Sequence, residues 1–191
     1  LVEIFPDDPT FVRIERRVKE TMNTVKIDKI ERVQNVRLWS HYAFRRRELK
    51  KELQHIPNLE IEMELFHGTR NTPPKEIFDG EYGFDMTFSS AGMWGIGIYF
   101  AQNASYSCES YVHQLADGPY KGKYQVFLAQ VLTGDVHDCP SNSSLRRPPK
   151  KTQSGSGLRY NSISGTTGGS KVYIVYENRV AYPTYLVTFT K

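Results

Sequence analysis

Apolar residues at Phe11, Ile14, Val18 and Met22 recur at spacings of three and four behind Asp8-Pro9, a capping residue and a proline suited to the first helical position. The pattern predicts a helix over 10–22 with one face turned inward. Val25 and Ile27 then alternate with Lys26 and Asp28, which reads as a half-buried strand running through Ile30 toward Val33. Asn35 is placed to cap an amphipathic helix over 36–53, on which Leu38, Trp39, Tyr42, Leu49 and Leu53 fall along one stripe. Pro57-Asn58 turns the chain into a strand over 61–66 that ends at His67-Gly68-Thr69. A short helix over 73–79 starts on proline, Gly80 and Gly83 bracket a turn, and a loop over 85–92 leads to a strand over 96–101. A helix over 104–115 precedes a nearly continuous apolar strand over 124–132, which demands burial on both faces. Between 135 and 170, Pro, Ser, Gly, Asn and Arg replace large apolar residues, the mark of a long functional or mobile loop. Strands over 171–177 and 184–190, joined by a turn at Tyr182-Pro183, come last. Strands scattered along the whole length, without regular strand–helix alternation, predict an α+β fold.

Two strings set an apolar, strand-like run against one polar residue: Leu65-Phe66-His67-Gly68-Thr69 and Gly95-Ile96-Gly97-Ile98-Tyr99-Phe100-Ala101. Taken singly, His67 reads as a satisfied structural histidine and Gly95-x-Gly97 as a tight turn, because the dinucleotide fingerprint needs a third glycine and a following helix. Taken together with Ser107 and the late string Lys171-Val172-Tyr173-Ile174-Val175-Tyr176, they resemble the catalytic domain of the poly(ADP-ribose) polymerases, the diphtheria-toxin-like ADP-ribosyltransferases. Asn35-Val-Arg-Leu-Trp39 is similar to the segment with which that family opens its domain, and the resemblance runs from about Phe11 to Thr190.

The resemblance implies two packed, mainly antiparallel sheets around a cleft for NAD+, which is the substrate; no metal is implied. It places His67, Tyr99 and Val172 at the family's catalytic positions. Breaking the bond between nicotinamide and ribose releases a neutral leaving group, so holding the ribose matters more than acid catalysis. Gly68 is expected to meet the carboxamide through its backbone, Ser107 to add a hydroxyl, and Tyr99 and Tyr111 to sandwich the ring. His67 is expected to bind the adenosine ribose with help from Thr69, and Phe100, Ala101 and Tyr106 to belong to the same site. Polymer-forming members carry glutamate where this chain has Val172. The implied product is therefore a single ADP-ribose on an acceptor, a protein side chain in the first place, with nicotinamide-like compounds as inhibitors. If another acid stood in for the missing one, Glu109 or Glu177 would be the candidates. A binding module of the same fold that holds the dinucleotide or a partner without turnover is the alternative.

Composition changes this picture little. At 191 residues the chain suits one domain burying about 70% of its surface, read here as residues 1–191 of a longer protein. A net charge of +4 draws on Arg45, Arg46, Arg47, Lys50 and Lys51, a solvated helix face first and a nucleic-acid contact second. Arg146, Arg147, Lys150 and Lys151 in the long loop suggest an acidic partner. Two cysteines, Cys108 and Cys139, have no metal-ligand spacing and favour a reducing, intracellular compartment, cytoplasmic or nuclear. No apolar run approaches the ~20 residues of a membrane helix.

Overall fold

A computed structural model describes residues 1–151 and 157–191. The elements run β1 (Val2–Ile4), α1 (Pro9–Lys19), β2 (Lys26–Arg32), α2 (Val36–Glu52), β3 (Glu62–His67), α3 (Lys75–Phe78), β4 (Ala91–Gly92), β5 (Gly95–Ile96), β6 (Ile98–Ala101) and α4 (Ala104–Ser110). They continue with β7 (His113–Gln114), β8 (Tyr124–Leu132), β9 (Val136–Asp138), β10 (Ser162–Thr167), β11 (Ser170–Val175) and β12 (Ala181–Thr190). No described helix is long and apolar enough to cross a membrane.

The helix ends follow their capping chemistry. Asp8 accepts the Thr10 N–H at 2.7 Å, and Phe11, Ile14 and Val18 are buried on α1. Asn35 accepts the Leu38 N–H at 3.1 Å and also donates to the Phe78 carbonyl at 3.1 Å, so one side chain starts α2 and ties it to α3. Leu38, Tyr42 and Leu49 face inward as expected, but Trp39 is 50% exposed and leans its edge on Tyr182 with ring centroids 5.2 Å apart. On the polar face of α2, Arg45 pairs with Glu52 at 2.9 Å and Arg46 with Glu62 at 2.6 Å.

One sheet in the order β1-β2-β12-β8-β3-β6-β11-β10-β9 organises the chain, all antiparallel except β9 on β10. The two sheets expected from the sequence are two halves of it, joined where β3 meets β6 through the single pair Phe66↔Ala101. Strand β8 is the spine of the first half. Its Phe127, Ala129 and Val131 enter the core beneath α2, while Val126 and Leu128 enter the core beneath α1 and α4, so alternate side chains serve opposite faces.

Several sequence expectations shift. Helix α4 stops at Ser110 instead of reaching 115, because His113 and Gln114 pair with Gln125 and Tyr124 of β8. The stretch 135–170 is not all loop: β9 and β10 extend the sheet there, their small residues fitting a crowded face where a Cβ on Gly165 would run into the Trp94 indole. Part of that stretch, 152–156, lies outside the described residues. Tyr182-Pro183 is no turn. The chain reverses at 176–180, with Arg179 at φ 71°, and Pro183 sits inside β12 at a register shift where its missing N–H costs no ladder bond.

Candidate active site

Past the pair Phe66↔Ala101, β3 and β6 separate; the His67 side chain spans the gap, its Nδ1 lying 2.7 Å from the Tyr99 carbonyl. Since a carbonyl only accepts, Nδ1 carries the hydrogen and Nε2 keeps a lone pair for the cleft. Phe84 packs edge-on against the imidazole with centroids 4.9 Å apart, and Phe100 backs it at 5.2 Å. Burial among these rings pushes the His67 pKa down to about 4, although the bond to the Tyr99 carbonyl works the other way. The imidazole is therefore neutral at pH 7.

Gly68 follows, and only glycine fits: a Cβ there would strike the Tyr111 carbonyl and lie 2.9 Å from the Ser107 carbonyl. Among the described residues no group bonds to its N–H or C=O, so both ends of one peptide plane face the cleft. Ser107 is 3% exposed, lines the same wall from the first turns of α4, and spends its hydroxyl on no other described residue. Thr69 also lines the cleft, but its hydroxyl closes the next turn on the Thr72 carbonyl at 2.6 Å.

The cleft measures about 330 Å³, within the range of small-ligand sites. Tyr99 forms one wall by its ring face, because its hydroxyl is taken: it accepts the Trp94 N–H at 2.9 Å and donates to the Gly95 carbonyl at 2.8 Å. That clasp fixes the β4–β5 hairpin, whose Gly92 leaves room for the Tyr99 ring. Burial raises the Tyr99 pKa, so the phenol stays protonated and the clasp intact. Tyr106, Tyr111 and Arg70 line the same cleft as a second aromatic group. The two rings stack with centroids 5.0 Å apart, their hydroxyls meet at 3.1 Å, and the Arg70 guanidinium lies 4.2 Å from the Tyr111 centroid.

His67, Gly68, Thr69, Tyr99, Ala101, Tyr106, Ser107 and Tyr111 thus converge on one cleft. Two expected site residues do not line it. Phe100 turns into the core behind His67, because alternation along β6 sends it to the face opposite Tyr99. Val172 is fully buried, opposite Ala101 on one side and Gly165 on the other, in an apolar cluster with Trp94 and Ile174. Glu109 and Glu177 do not line the cleft either, and Glu177 lies 3.7 Å from Arg45. Sequence reasoning missed Arg70, Phe84, Phe88 and Trp94. The tight Gly92–Gly95 spacing was the available signal for Trp94; nothing local marks the others.

A model of the poly(ADP-ribose) polymerase catalytic domain matches residues 9–163. A probable poly [ADP-ribose] polymerase of Dictyostelium discoideum is 38% identical over 191 residues, covering 99% of this chain and 52% of that protein. The human protein mono-ADP-ribosyltransferase PARP14 is 30% identical over 194 residues, covering 100% of this chain and 10% of that protein. Mouse PARP10, also a protein mono-ADP-ribosyltransferase by name, is 33% identical over 167 residues, covering 86% and 16%. The chain spans about half the length of the Dictyostelium relative and a small part of the others.

Proposed function

The chain belongs to the poly(ADP-ribose) polymerase catalytic-domain family, and from that membership we propose that it transfers one ADP-ribose unit from NAD+ to a protein acceptor and releases nicotinamide. The supporting observation is the unbonded peptide plane of Gly68 beside the Ser107 hydroxyl at the back of the cleft. The Gly68 N–H donates to the carboxamide oxygen, its C=O accepts from the carboxamide nitrogen, and Ser107 adds a second donor to the oxygen. Tyr99 covers the ring from one side, with Tyr111 and Tyr106 across from it.

Held this way, the bond from ribose to the nicotinamide nitrogen breaks with its electron pair leaving on the ring. The departing group becomes neutral and needs no proton, while positive charge grows on the ribose. His67 accepts a ribose hydroxyl at Nε2. Being uncharged, it adds no repulsion to the cationic ring or to the sugar, as an imidazolium would. Val172, at the position where polymer-forming relatives carry glutamate, offers no proton acceptor. The acceptor group must bring its own nucleophilic charge, as a protein carboxylate does, and a second ribose hydroxyl is not activated. The product is then a single adduct.

Incubating the protein with labelled NAD+ and separating products by gel tests this. Single adducts with nicotinamide release are expected; binding of NAD+ without label transfer would favour the binding-module alternative. A ladder that a chain-cleaving glycohydrolase collapses to one band would overturn single transfer.

A further inference from the structure

The cleft rim between Phe84 and Gly92 has few core contacts of its own. Phe88 lines the cleft, is 61% exposed and joins none of the hydrophobic clusters. What holds this rim comes from a distant part of the chain, the turn between β11 and β12. The Asn178 Oδ1 accepts the Met86 N–H at 2.8 Å, and its Nδ2 donates to the Asp85 carboxylate at 3.1 Å. Asp85 in turn accepts the Thr87 N–H at 2.9 Å, and the Phe88 N–H returns to the Asp85 carbonyl at 3.2 Å, closing a single 3-10 turn that carries the phenyl ring. Burial opposes the charge on Asp85, yet the donors from Thr87 and Asn178 hold its carboxyl below the usual carboxylate value. From the same reversal the Arg179 guanidinium lies 5.6 Å from the Tyr82 ring centroid, and Glu177 is 3.7 Å from Arg45 of α2. The reversal is thus anchored to α2 behind and grips the rim in front.

We propose that Asn178 is a positioning residue for the dinucleotide: its amide clamps Asp85 and Met86 so that the Phe88 ring stands on the cleft rim, where the part of NAD+ beyond the nicotinamide ribose has to lie. This rests on the assignment of the cleft to NAD+. In the proposed pose the carboxamide half docks at Gly68 and Ser107, neither of which bonds to the rim among the described residues, so it does not depend on the clamp. A primary amide suits the task because it offers one acceptor and one donor in a single plane, matched to a backbone N–H and a carboxylate. A planar ring held at a fixed place loses little entropy when it meets a flat ligand group, so loosening the clamp weakens ground-state binding more than it slows bond breaking.

The test measures KM and kcat for NAD+ in the whole chain, with the dissociation constants of NAD+ and of free nicotinamide, for the wild type, Asn178→Ala, Phe88→Ala and the double variant. Each single variant is expected to raise KM and the NAD+ dissociation constant about tenfold, with kcat within about twofold and nicotinamide affinity unchanged. Because both act through one ring, the double variant should lose no more than the worse single one. Additive losses, a fall in kcat alone, or an equal loss of nicotinamide affinity would overturn the proposal. If the wild type bound NAD+ but transferred nothing while Asn178→Ala still lost NAD+ affinity, the transfer reading would fail and the clamp would stand.

Discussion

His67 shows how one side chain serves the fold and, on the proposed function, the chemistry. Its Nδ1–H bridges β3 and β6 where the strands part, and its Nε2 keeps a lone pair that the proposed reaction uses. The half-buried imidazole also sets a pH limit. Between pH 6.5, the ordinary histidine value, and about 4, the unfolded chain takes up a proton that the folded chain refuses. Stability therefore rises with pH through that window and is level above it. Thermal melts from pH 4.5 to 7.5 should show a steeper loss toward acid for the wild type than for His67→Gln, while His67→Gln loses transfer at every pH; equal slopes would mean the imidazole is not held neutral. Tyr99 acts by a different route. Tyr99→Phe keeps the stacking face but frees the Trp94 N–H and the Gly95 carbonyl. It should cost about 1–2 kcal/mol of stability and reduce kcat/KM roughly tenfold or more as the hairpin loosens, which melting and steady-state kinetics will check.

At the scale of elements, the cleft is a consequence of strands that part. Strands β3 and β6 hold one pair in common and then diverge, α4 packs its N-terminal turns across the opening, and the β4–β5 hairpin closes the far side over Tyr99. The hairpin is pinned from beneath by Trp94, whose Nε1 donates to the Cys139 carbonyl at 3.0 Å and whose carbonyl accepts the Tyr176 hydroxyl at 2.5 Å. Gly165 on β10 leaves the space that the indole fills. Gly165→Ala should push the indole outward, lower stability by about 1–3 kcal/mol and weaken NAD+ binding through the displaced Tyr99. The paired readout is melting temperature and NAD+ affinity; an unchanged affinity in a destabilised variant would separate the hairpin from the site.

For the whole molecule, the proposed single transfer turns on what the sheet buries at position 172. Val172 is enclosed by Trp94, Ala101, Ile163 and Ile174 between two neighbouring strands. A glutamate there would be larger, desolvated and without a cation among those neighbours, so it would stay largely protonated near neutral pH. Val172→Glu should therefore cost at least about 2 kcal/mol, lower the melting temperature by roughly 5 °C or more, and still yield single adducts. A polymer ladder from this variant would show that one carboxylate suffices.

The helices α1 and α2, the doubly buried β8 and the strings around His67 and Tyr99 were legible in the chain because each is written in local terms: a cap, a period, or a run of fixed spacing. The convergence of His67, Gly68, Tyr99, Ser107 and Tyr111 was implied by the resemblance those strings bear to the family's catalytic domain, not by any local pattern. Local pattern misjudged the end of α4, the strands inside 135–170 and Pro183, where pairing with β8, β10 or β12 outweighs intrinsic preference. Only the tertiary structure decided that Phe100 turns into the core, that Val172 is buried beneath the cleft-lining residues, that the Tyr99 hydroxyl is spent on the hairpin, and that Asn178 reaches Asp85 across 93 residues of sequence. Such contacts join elements distant in the chain, and no periodicity records them; they exist because the folded sheet brings backbone groups that need partners within reach of the side chains that can satisfy them.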